Sequence, residues 1–310
     1  MSLVRLRAPG PLGWPRPAVA LGNFDGVHRG HQALVAAVVA RARAHGGTPV
    51  VLTFDPHPAR VLSPDRAPRA LMTVEQKAEV LASLGVERVV ALPFTLELSQ
   101  KSPEEFAALV LRDTVGAALV AVGPDFRFGR DREGSLRTLE RLGPRLGFDV
   151  EAVPAVMHGS VPISSTRIRE SLVAGDVVEA KALLGRRHFV DGHVVRGDGR
   201  GRALGVPTAN LDPVNEQLPA GGVYACWCRL APAADGVAAV VNIGTRPTFG
   251  GGPATAEAHL LDFEADLYGR PLRVEFAARL REERKFPDAS ALARQIRDDI
   301  AAARRVLEKA

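Results

Sequence analysis

Apolar residues in the first part of the chain come in short continuous runs, separated by segments in which apolar residues recur at helical spacing. Such runs are typical of parallel strands that helices cover on both faces. Thr73 with Gln76, and Ser102 with Glu105, are typical helix starts between the runs. We therefore expect a doubly wound α/β domain. Its predicted strands are residues 18–21, 49–54, 88–92, 118–122 and 149–153.

After Gly185 the pattern changes to an alternation of apolar and polar residues, which is typical of strands with one buried face. Strand follows strand with only Gly, Pro and Asp turns between them, and this predicts an antiparallel barrel or sandwich. A last helix, capped by Asp288, should pack across the sheet. We place the domain limit between residues 184 and 185, which gives domains 1–184 and 185–310. The predicted strands of the second domain are residues 189–196, 222–230, 237–243, 255–263 and 272–280.

The composition narrows the class of protein. A chain of 310 residues with 46% hydrophobic residues is long enough for two domains. The charge is +5 and the pI about 9.7, but the arginines are scattered among acidic residues, which favours phosphate ligands over nucleic acid. The start of the chain lacks the apolar core of a signal peptide, so we expect a cytoplasmic protein with no membrane partner. The sequence leaves the oligomeric state open, and a homo-oligomer is compatible with it.

The loop after the first predicted strand carries the most distinctive chemistry. Residues 22–31 read Gly-Asn-Phe-Asp-Gly-Val-His-Arg-Gly-His and lead into a helix. Free N–H groups at a helix start, together with His28 and His31, suit the binding of phosphate, and Gly26 and Gly30 allow close approach of the backbone. The alternative is a tight turn with two solvated histidines. Because parallel strands end at one edge of the sheet, the loops after Phe54 and Val122 should face the same crevice.

Two further segments could hold phosphate groups. Ser164, Ser165, Thr166 and Arg167 open another helix with hydroxyl, N–H and guanidinium groups, although an ordinary serine N-cap with surface arginines would read the same way. In the second domain, residues 197–205 form a loop rich in glycine and arginine that could be an anion-binding nest or only a flexible β-loop. Pro-Thr-Ala-Asn follows it at residues 207–210, and the chain has no Walker A sequence.

The histidine pair and the Ser-Ser-Thr-x-Ile-Arg segment resemble the motifs of the nucleotidylyltransferase superfamily. Together with residues 52–58 and 122–129 they resemble one family more closely, the bacterial bifunctional riboflavin kinase/FMN adenylyltransferases, or FAD synthetases. The resemblance implies a Rossmann-like nucleotidylyltransferase domain followed by a six-stranded antiparallel β-barrel with a C-terminal helix. It also implies two activities, the phosphorylation of riboflavin to FMN and the adenylylation of FMN to FAD with release of pyrophosphate.

The resemblance also assigns roles to residues of both sites. His28, His31, Glu257 and Arg281 are expected to be catalytic, with Glu257 as the general base of the kinase. Mg²⁺ is the expected cofactor, with ATP as co-substrate and with riboflavin, FMN and FAD as the other ligands; its expected protein ligands are Thr208 and Asn210. The residues expected to bind the phosphates of ATP are Gly22, Phe24, Gly26, Gly30, Ser164, Ser165, Thr166, Arg167, Gly201 and Arg202. The residues expected to contact flavin are Asp55, His57, Asp125, Phe126, Asn242 and Arg246.

Two other functions are weighed against this hypothesis. One is an enzyme of the same superfamily that acts on phosphopantetheine or nicotinamide mononucleotide, which the predicted barrel disfavours. The other is a non-catalytic flavin sensor that regulates nucleic acid, which the intact His28, His31, Thr208, Asn210 and Glu257 disfavour. A dehydrogenase and a serine hydrolase are disfavoured because the chain has neither a GxGxxG fingerprint nor a Gly-x-Ser-x-Gly elbow.

Overall fold

The computed structural model describes residues 2–7, 10–197, 206–230, 235–245 and 254–309 of the chain. Their contacts divide the chain into two compact units, Met1–Ser164 and Ser165–Ala310. The helices Ser165–Ala174 and Val177–Leu184 group with the second unit, whereas the sequence-based limit places them in the first domain. Where the two activities divide along the chain therefore stays a prediction.

The first unit is built on a parallel sheet. Its strand order is β1-β4-β3-β2-β5-β8, and every pairing in it is parallel. The chain adds strands on one side of β2 and then returns to add β5 and β8 on the other side, so the order reverses between β2 and β5. The strands are β1 (Ser2–Arg5), β2 (Ala18–Leu21), β3 (Pro49–Phe54), β4 (Arg88–Leu92), β5 (Leu119–Val122) and β8 (Asp149–Ala152). Two-residue strands form the ribbons β6 (Arg127–Phe128) with β7 (Gly134–Ser135) and β9 (Met157–His158) with β10 (Val161–Pro162).

The central strands are buried because helices cover them. All four residues of β2 are buried, and the core beneath it joins strand valines and leucines to side chains such as Phe106, Leu111 and Leu139. Thr73 and Ser102 make capping boxes with Gln76 and Glu105, as the sequence predicts. The helices are α1 (Arg29–Ala44), α2 (Pro58–Leu62), α3 (Val74–Ser83), α4 (Leu96–Ser99), α5 (Pro103–Phe106), which a π-helical segment (Ala107–Val115) continues, and α6 (Leu136–Leu146).

The second unit begins with α7 (Ser165–Ala174) and α8 (Val177–Leu184) and continues as a closed antiparallel barrel. Its strand order around the barrel is β11-β12-β15-β14-β13-β16. The strands are β11 (Phe189–Val195), β12 (Ala209–Pro213), β13 (Gly222–Arg229), β14 (Val237–Thr245), β15 (Ala254–Leu260) and β16 (Pro271–Arg281). Inward residues such as Tyr224, Val241, Ala256 and Phe276 fill its interior.

The last helix, α9 (Ala289–Leu307), packs against β13, β14 and β16. The Asp288 side chain accepts a hydrogen bond from the N–H of Ala291, 2.7 Å away, which confirms the predicted cap. Ala303 and Leu307 are buried against Ala225 and Ala277 of the barrel wall.

None of the helices in the ranges described above has both the length and the apolar composition needed to cross a membrane.

Candidate active sites

The predicted first site lies where the order of the parallel sheet reverses. The loop after β2 leads into α1, and the loop after β5 lies beside it because β2 and β5 are neighbours. In sheets of this kind the crevice outside the carboxyl ends of such strands is the usual place for a ligand. The loop that carries both histidines therefore lies at that crevice.

His28 is the N-cap of α1. Its Nδ1 accepts a hydrogen bond from the backbone N–H of His31 at 3.3 Å, and the two imidazole rings stack with centroids 3.6 Å apart. His28 is buried and His31 is half-buried. An imidazole that accepts through Nδ1 carries its ring proton on Nε2, the atom that can donate to a ligand. The helix start and the histidine pair thus combine in one place.

The loop backbone is strained at two non-glycine residues. Phe24 has a φ of 49° and Val27 a φ of 42°, and both side chains are completely buried. Positive φ is unfavourable for any residue with a Cβ and most of all for a β-branched one such as valine. Strain of this size persists only where neighbouring groups hold the backbone, and it is commonly found at binding sites.

Groups from β3, from α3 and from the segment before α3 hold this loop. The carbonyl of Asn23 accepts hydrogen bonds from Thr53 Oγ1 at 2.9 Å and from Lys77 Nζ at 3.1 Å. The buried carboxylate of Asp25 accepts from the N–H of Leu71 at 3.1 Å. Lys77 is itself buried, although it lies on a helix. These contacts were not expected from the sequence, because they join residues that are far apart along the chain.

The glycines of the loop leave space for aromatic rings. A Cβ on Gly30 would lie 3.1 Å from Cε1 of the His28 ring, and a Cβ on Gly22 would lie 3.3 Å from the Phe24 ring. Gly26 has a φ of 83°, a conformation that side chains rarely adopt. The glycine at each of the three positions therefore has a local structural reason.

The residues predicted to contact flavin follow β3 and β5. Asp55 is half-buried, and the His57 side chain caps α2 by accepting from the N–H of Ala59 at 3.2 Å. Asp125 is exposed in the turn after β5, and Phe126 is half-buried there. All four follow the carboxyl ends of parallel strands.

Phe126 belongs to a chain of aromatic rings at this edge of the sheet. Phe126 stacks on Phe128 at 5.6 Å, Phe128 contacts Phe106 at 5.7 Å, and Phe106 contacts Phe54 at 6.4 Å. Phe54 in turn meets Phe94 edge to face at 5.6 Å. The sequence patterns did not predict this row of rings. The signal that could have found it is the recurrence of phenylalanine at the end of, or soon after, three separate predicted strands.

The Ser164–Arg167 segment lies at the division between the two compact units. Ser164 is the last residue of the first unit, and Ser165, Thr166 and Arg167 open α7 in the second. Arg167 Nη2 forms an ion pair with Glu179 Oε1 at 2.6 Å, within the second unit. The guanidinium is therefore already oriented by α8.

The barrel brings three of the predicted kinase residues into one row. Glu257 on β15 lies directly opposite Asn210 on β12 and directly opposite Asn242 on β14. The alternation along β15 buries Ala256 and Ala258 inside the barrel and leaves Glu257 exposed on the outer face. Residues directly opposite in adjacent antiparallel strands have Cα atoms about 4.5–5.5 Å apart. The two amides and the carboxylate therefore form a continuous outer row.

Thr208 lines a cavity of about 830 Å³ at one end of the barrel. The cavity wall combines apolar and aromatic side chains with charged ones, a composition common in small-molecule sites. The sequence predicts no role for Leu267 or Tyr268, because the loop between β15 and β16 has no recognisable pattern. Besides Thr208, the lining includes Arg196, Phe263, Asp266, Leu267 and Tyr268.

Arg281 ends β16 and is tied to α9. Its Nη2 lies 2.8 Å from Oδ2 of the buried Asp299. Beyond it, Glu283 Oε1 accepts a hydrogen bond from Asn242 Nδ2 at 3.3 Å. The charged segment after β16 thus reaches the row that contains Glu257. Three other predicted residues, Gly201, Arg202 and Arg246, lie outside the described residues.

Comparison with known proteins assigns the chain to a family. Residues 13–167 match the family model for FAD synthetase, and residues 184–307 match that for riboflavin kinase. A bifunctional riboflavin kinase/FMN adenylyltransferase of Pseudomonas fluorescens is 42% identical over 287 residues, which cover 92% of this chain and 91% of that one. This chain belongs to the bifunctional riboflavin kinase/FMN adenylyltransferase family. The relative of the same name in Escherichia coli K12 is 37% identical over 285 residues, covering 92% of this chain and 91% of that one.

Membership of the riboflavin kinase/FMN adenylyltransferase family confirms the resemblance that the motifs indicated. The FAD synthetase match falls on the parallel-sheet part and the riboflavin kinase match on the barrel, so the predicted fold class and domain order are confirmed as well. The predicted enzyme class, a transferase of phosphorus-containing groups in flavin coenzyme biosynthesis, agrees with the same matches.

A solved structure shares the fold over the whole chain. It is a crystal structure described as a macrolide-efflux protein of Streptococcus pneumoniae, with a TM-score of 0.89 and 30% sequence identity. The match covers 98% of this chain and 99% of that one. The parallel-sheet part and the barrel thus occur together in a second protein.

Proposed function

We propose that this chain carries out the two reactions of its family at separate sites, each with its own set of ATP-binding groups. The observation that carries the proposal is the division of the predicted residues between two compact units. His28 and His31 lie in the first unit, and Thr208, Asn210 and Glu257 lie in the second. Adenylylation of FMN is accordingly assigned to the first site, and phosphorylation of riboflavin to the second.

At the first site, a phosphate oxygen of FMN attacks the α-phosphorus of ATP in line, and pyrophosphate leaves. No covalent intermediate with the enzyme is needed, so catalysis consists of positioning and charge stabilisation. The positive end of the α1 dipole and the Nε2–H of His28 suit the phosphate oxygens of ATP. His31 stacks on His28 at the same helix start and is assigned to the same phosphates. Ser164, Ser165, Thr166 and Arg167 are assigned to ATP by the family resemblance alone.

The flavin of the first reaction is assigned to the row of aromatic rings beside the loop that follows β2. The isoalloxazine ring is planar and apolar over most of its surface, and offset stacking on phenylalanine suits such a ring. Phe126 is the half-buried ring at one end of this row of aromatic side chains, next to Asp125. Asp55 and His57 follow the neighbouring strand and are assigned to the polar edge of the flavin and its ribityl chain.

At the second site, Glu257 accepts the proton of the ribityl 5′-hydroxyl as that oxygen attacks the γ-phosphorus of ATP and ADP leaves. A carboxylate acting as general base must lie within reach of the hydroxyl and of the phosphate groups. Glu257 lies directly opposite Asn210, one of the two proposed metal ligands, and this pairing supports its role as the base. Asn242, on the other side of Glu257, is assigned to the flavin, together with Arg246.

Mg²⁺ fits the residues proposed to hold it. Thr208 and Asn210 offer two neutral oxygens, and Mg²⁺ is commonly held by a few protein oxygens together with phosphates and water. The ion supplies neutralisation of the charge on the ATP phosphates. The Thr208 side of the site adjoins the cavity lined by Phe263, Leu267 and Tyr268, to which we assign the nucleoside of ATP.

The experiment uses the purified full chain with two substrate mixtures, riboflavin with MgATP and FMN with MgATP. Chromatography should show FMN and ADP from the first mixture and FAD and pyrophosphate from the second. Chelation of the metal should stop both reactions, and added Mg²⁺ should restore them. Formation of neither product, or adenylylation of phosphopantetheine or nicotinamide mononucleotide in place of FMN, would contradict the proposal.

The proposed reactants are small molecules, so the proposal needs neither a nucleic acid nor a membrane as a partner. We place the reactions in the cytoplasm, where ATP is available. The two sites as proposed need no residue from a second copy of the chain, and a homo-oligomer is compatible with them.

A further inference from the structure

Asp299 is a charged residue at the centre of the buried face of α9. It is only 5% exposed and lies one and two helical turns before the buried Ala303 and Leu307. A buried carboxylate is unfavourable unless it is paired or hydrogen-bonded, and a small apolar residue would satisfy the packing of this face equally well. The contacts of the Asp299 carboxylate should therefore show what it does in this position.

Its main partner is Arg281. Nε of Arg281 lies 3.0 Å from Oδ1 and 3.1 Å from Oδ2 of Asp299, and Nη2 lies 2.8 Å from Oδ2. Gln295, one turn earlier on α9, donates to Oδ1 at 2.7 Å and so fixes the carboxylate in turn. A two-pronged contact of this kind sets the plane of the guanidinium as well as its position.

The pairing with Asp299 leaves part of the guanidinium available. Nη1 of Arg281 donates to the carbonyl of Glu282 at 2.9 Å, so the contacts within the described part of the chain use one N–H on each of the three nitrogens. A guanidinium has five N–H groups, and one therefore remains on each terminal nitrogen. Two such donors side by side match two oxygens of a phosphate group.

The segment that Arg281 begins reaches the proposed kinase row. Glu283, two residues on, accepts a hydrogen bond from Asn242, and Asn242 lies directly opposite Glu257. Phe286 packs beside the Arg281 guanidinium at 5.7 Å. The contact between Asp299 and Arg281 thus fixes the base of a segment that borders the proposed general base.

We propose that Asp299 is a positioning residue of the riboflavin kinase site, which acts by holding the Arg281 guanidinium in the orientation that presents its outer edge to a phosphate group. This inference rests on the proposed kinase function and extends it to the last helix. Asp299 itself touches no substrate, so its effect on the reaction passes through Arg281.

A double-mutant cycle on the kinase reaction tests the proposal. Asp299→Asn and Arg281→Gln should each lower kcat/KM for ATP by more than about tenfold, the scale at which a supporting carboxylate acts on the group it orients. The double variant should be no worse than Arg281→Gln alone, because the carboxylate has no other route to the reaction. Adenylylation of supplied FMN should stay unchanged in all three, since both residues lie in the part of the chain that matches riboflavin kinase.

A matched control separates positioning from attachment of the helix. Arg304 on α9 pairs with Asp262 at 2.8 Å, which also joins the helix to the barrel but does not involve Arg281. Arg304→Gln should keep the wild-type kinase kcat/KM. Gln295→Ala keeps both charges while removing one support of the carboxylate, and it should give a smaller loss of kcat/KM even if Asp299→Asn does not fold.

Three outcomes would overturn the inference. The first is a wild-type kinase kcat/KM in Arg281→Gln or in folded Asp299→Asn. The second is that Asp299→Asn lowers kcat/KM by the same factor whether or not Arg281 is present. The third is that Arg304→Gln lowers kcat/KM as much as Asp299→Asn does. A wild-type chain that converts FMN to FAD but never riboflavin to FMN would instead contradict the proposed kinase function.

Discussion

The imidazole rings of His28 and His31 stack on each other with centroids 3.6 Å apart, and the Nδ1 of His28 accepts the N–H of His31. The first ring is therefore oriented by the start of the helix that both residues share, and the second ring lies against it. Substitution of His31 removes a donor without removing the N-cap, whereas substitution of His28 removes both. The two residues are thus not equivalent targets for mutation.

His31→Ala should lower the rate of FAD formation from FMN by roughly 10²- to 10⁴-fold, the range for removal of a well-placed catalytic group. FMN formation from riboflavin should remain, because the proposed kinase residues lie in the other unit. The measurement is the rate of each reaction on separate substrates. His45→Ala, at the exposed C-cap of the same helix, is the control and should leave both rates unchanged. Loss of both activities in folded His31→Ala would contradict two separate sites.

Glu257→Gln should give the reverse pattern. The amide keeps the size of the side chain and its place opposite Asn210 and Asn242 but cannot accept a proton, so the kinase kcat should fall by roughly 10²- to 10⁴-fold. FMN supplied directly should still be converted to FAD. Asp212→Asn removes another exposed carboxylate two residues from Asn210 and should keep both activities. A Glu257→Gln enzyme with the wild-type kinase rate would exclude Glu257 as the base.

Gly30→Ala should impair the first reaction without destabilising the protein. The new Cβ would lie 3.1–3.2 Å from the His28 ring, which must move by a few tenths of an ångström. Within a helix, alanine is more favourable than glycine by up to about 1 kcal/mol, so the free energy of unfolding should not fall. We expect a lower kcat for FAD formation with an unchanged or higher melting temperature. Gly10→Ala, where a Cβ meets nothing within 4 Å, should change neither quantity.

The elements that the sequence predicted best are those with strong local patterns. The apolar runs at residues 18–21, 49–54 and 88–92 have the predicted bounds as strands, and the cap at Asp288 is where the sequence placed it. Continuous burial and capping depend on neighbours along the chain, so a single sequence contains the information.

Apart from the two-residue strands, two strands were missed because long-range pairing alone defines them. Ser2–Arg5 is a strand only because it pairs in parallel with Arg88–Leu92, at the edge of the sheet. Ala209–Pro213 alternates around one buried leucine, and its own pattern is too short to indicate a strand. It nevertheless closes the barrel between its neighbours and places Asn210 beside Glu257.

The site residues also divide into those with a local sequence pattern and those defined by long-range contacts. Runs of glycine, histidine and serine can be recognised without a structure, whereas the groups that hold them cannot. Lys77 and Thr53 reach the Asn23 carbonyl from other elements, and Asp299 is a carboxylate on the buried face of α9. Helical periodicity predicted that the last helix packs across the sheet, but it could not show that Asp299 pairs with Arg281, the last residue of β16.

The second unit should lose stability in acid through His188. Burial, and then the nearby Arg186 charge, lower the pKa of His188 from 6.5 to about 4. Between these two pH values the imidazole is therefore protonated in the unfolded chain and neutral in the folded barrel. Stability from this residue is complete above pH 6.5 and falls as the pH drops to about 4, by about 3 kcal/mol in total. Trp227 is the only tryptophan left once Trp14 is replaced by Phe, and its fluorescence in urea then measures unfolding of the barrel at each pH. In that background His188→Phe should flatten the decline between pH 6.5 and 4 relative to the parent, whereas His193→Gln, at an exposed strand position, should not. An equally steep decline in His188→Phe would assign the acid sensitivity to the carboxylates.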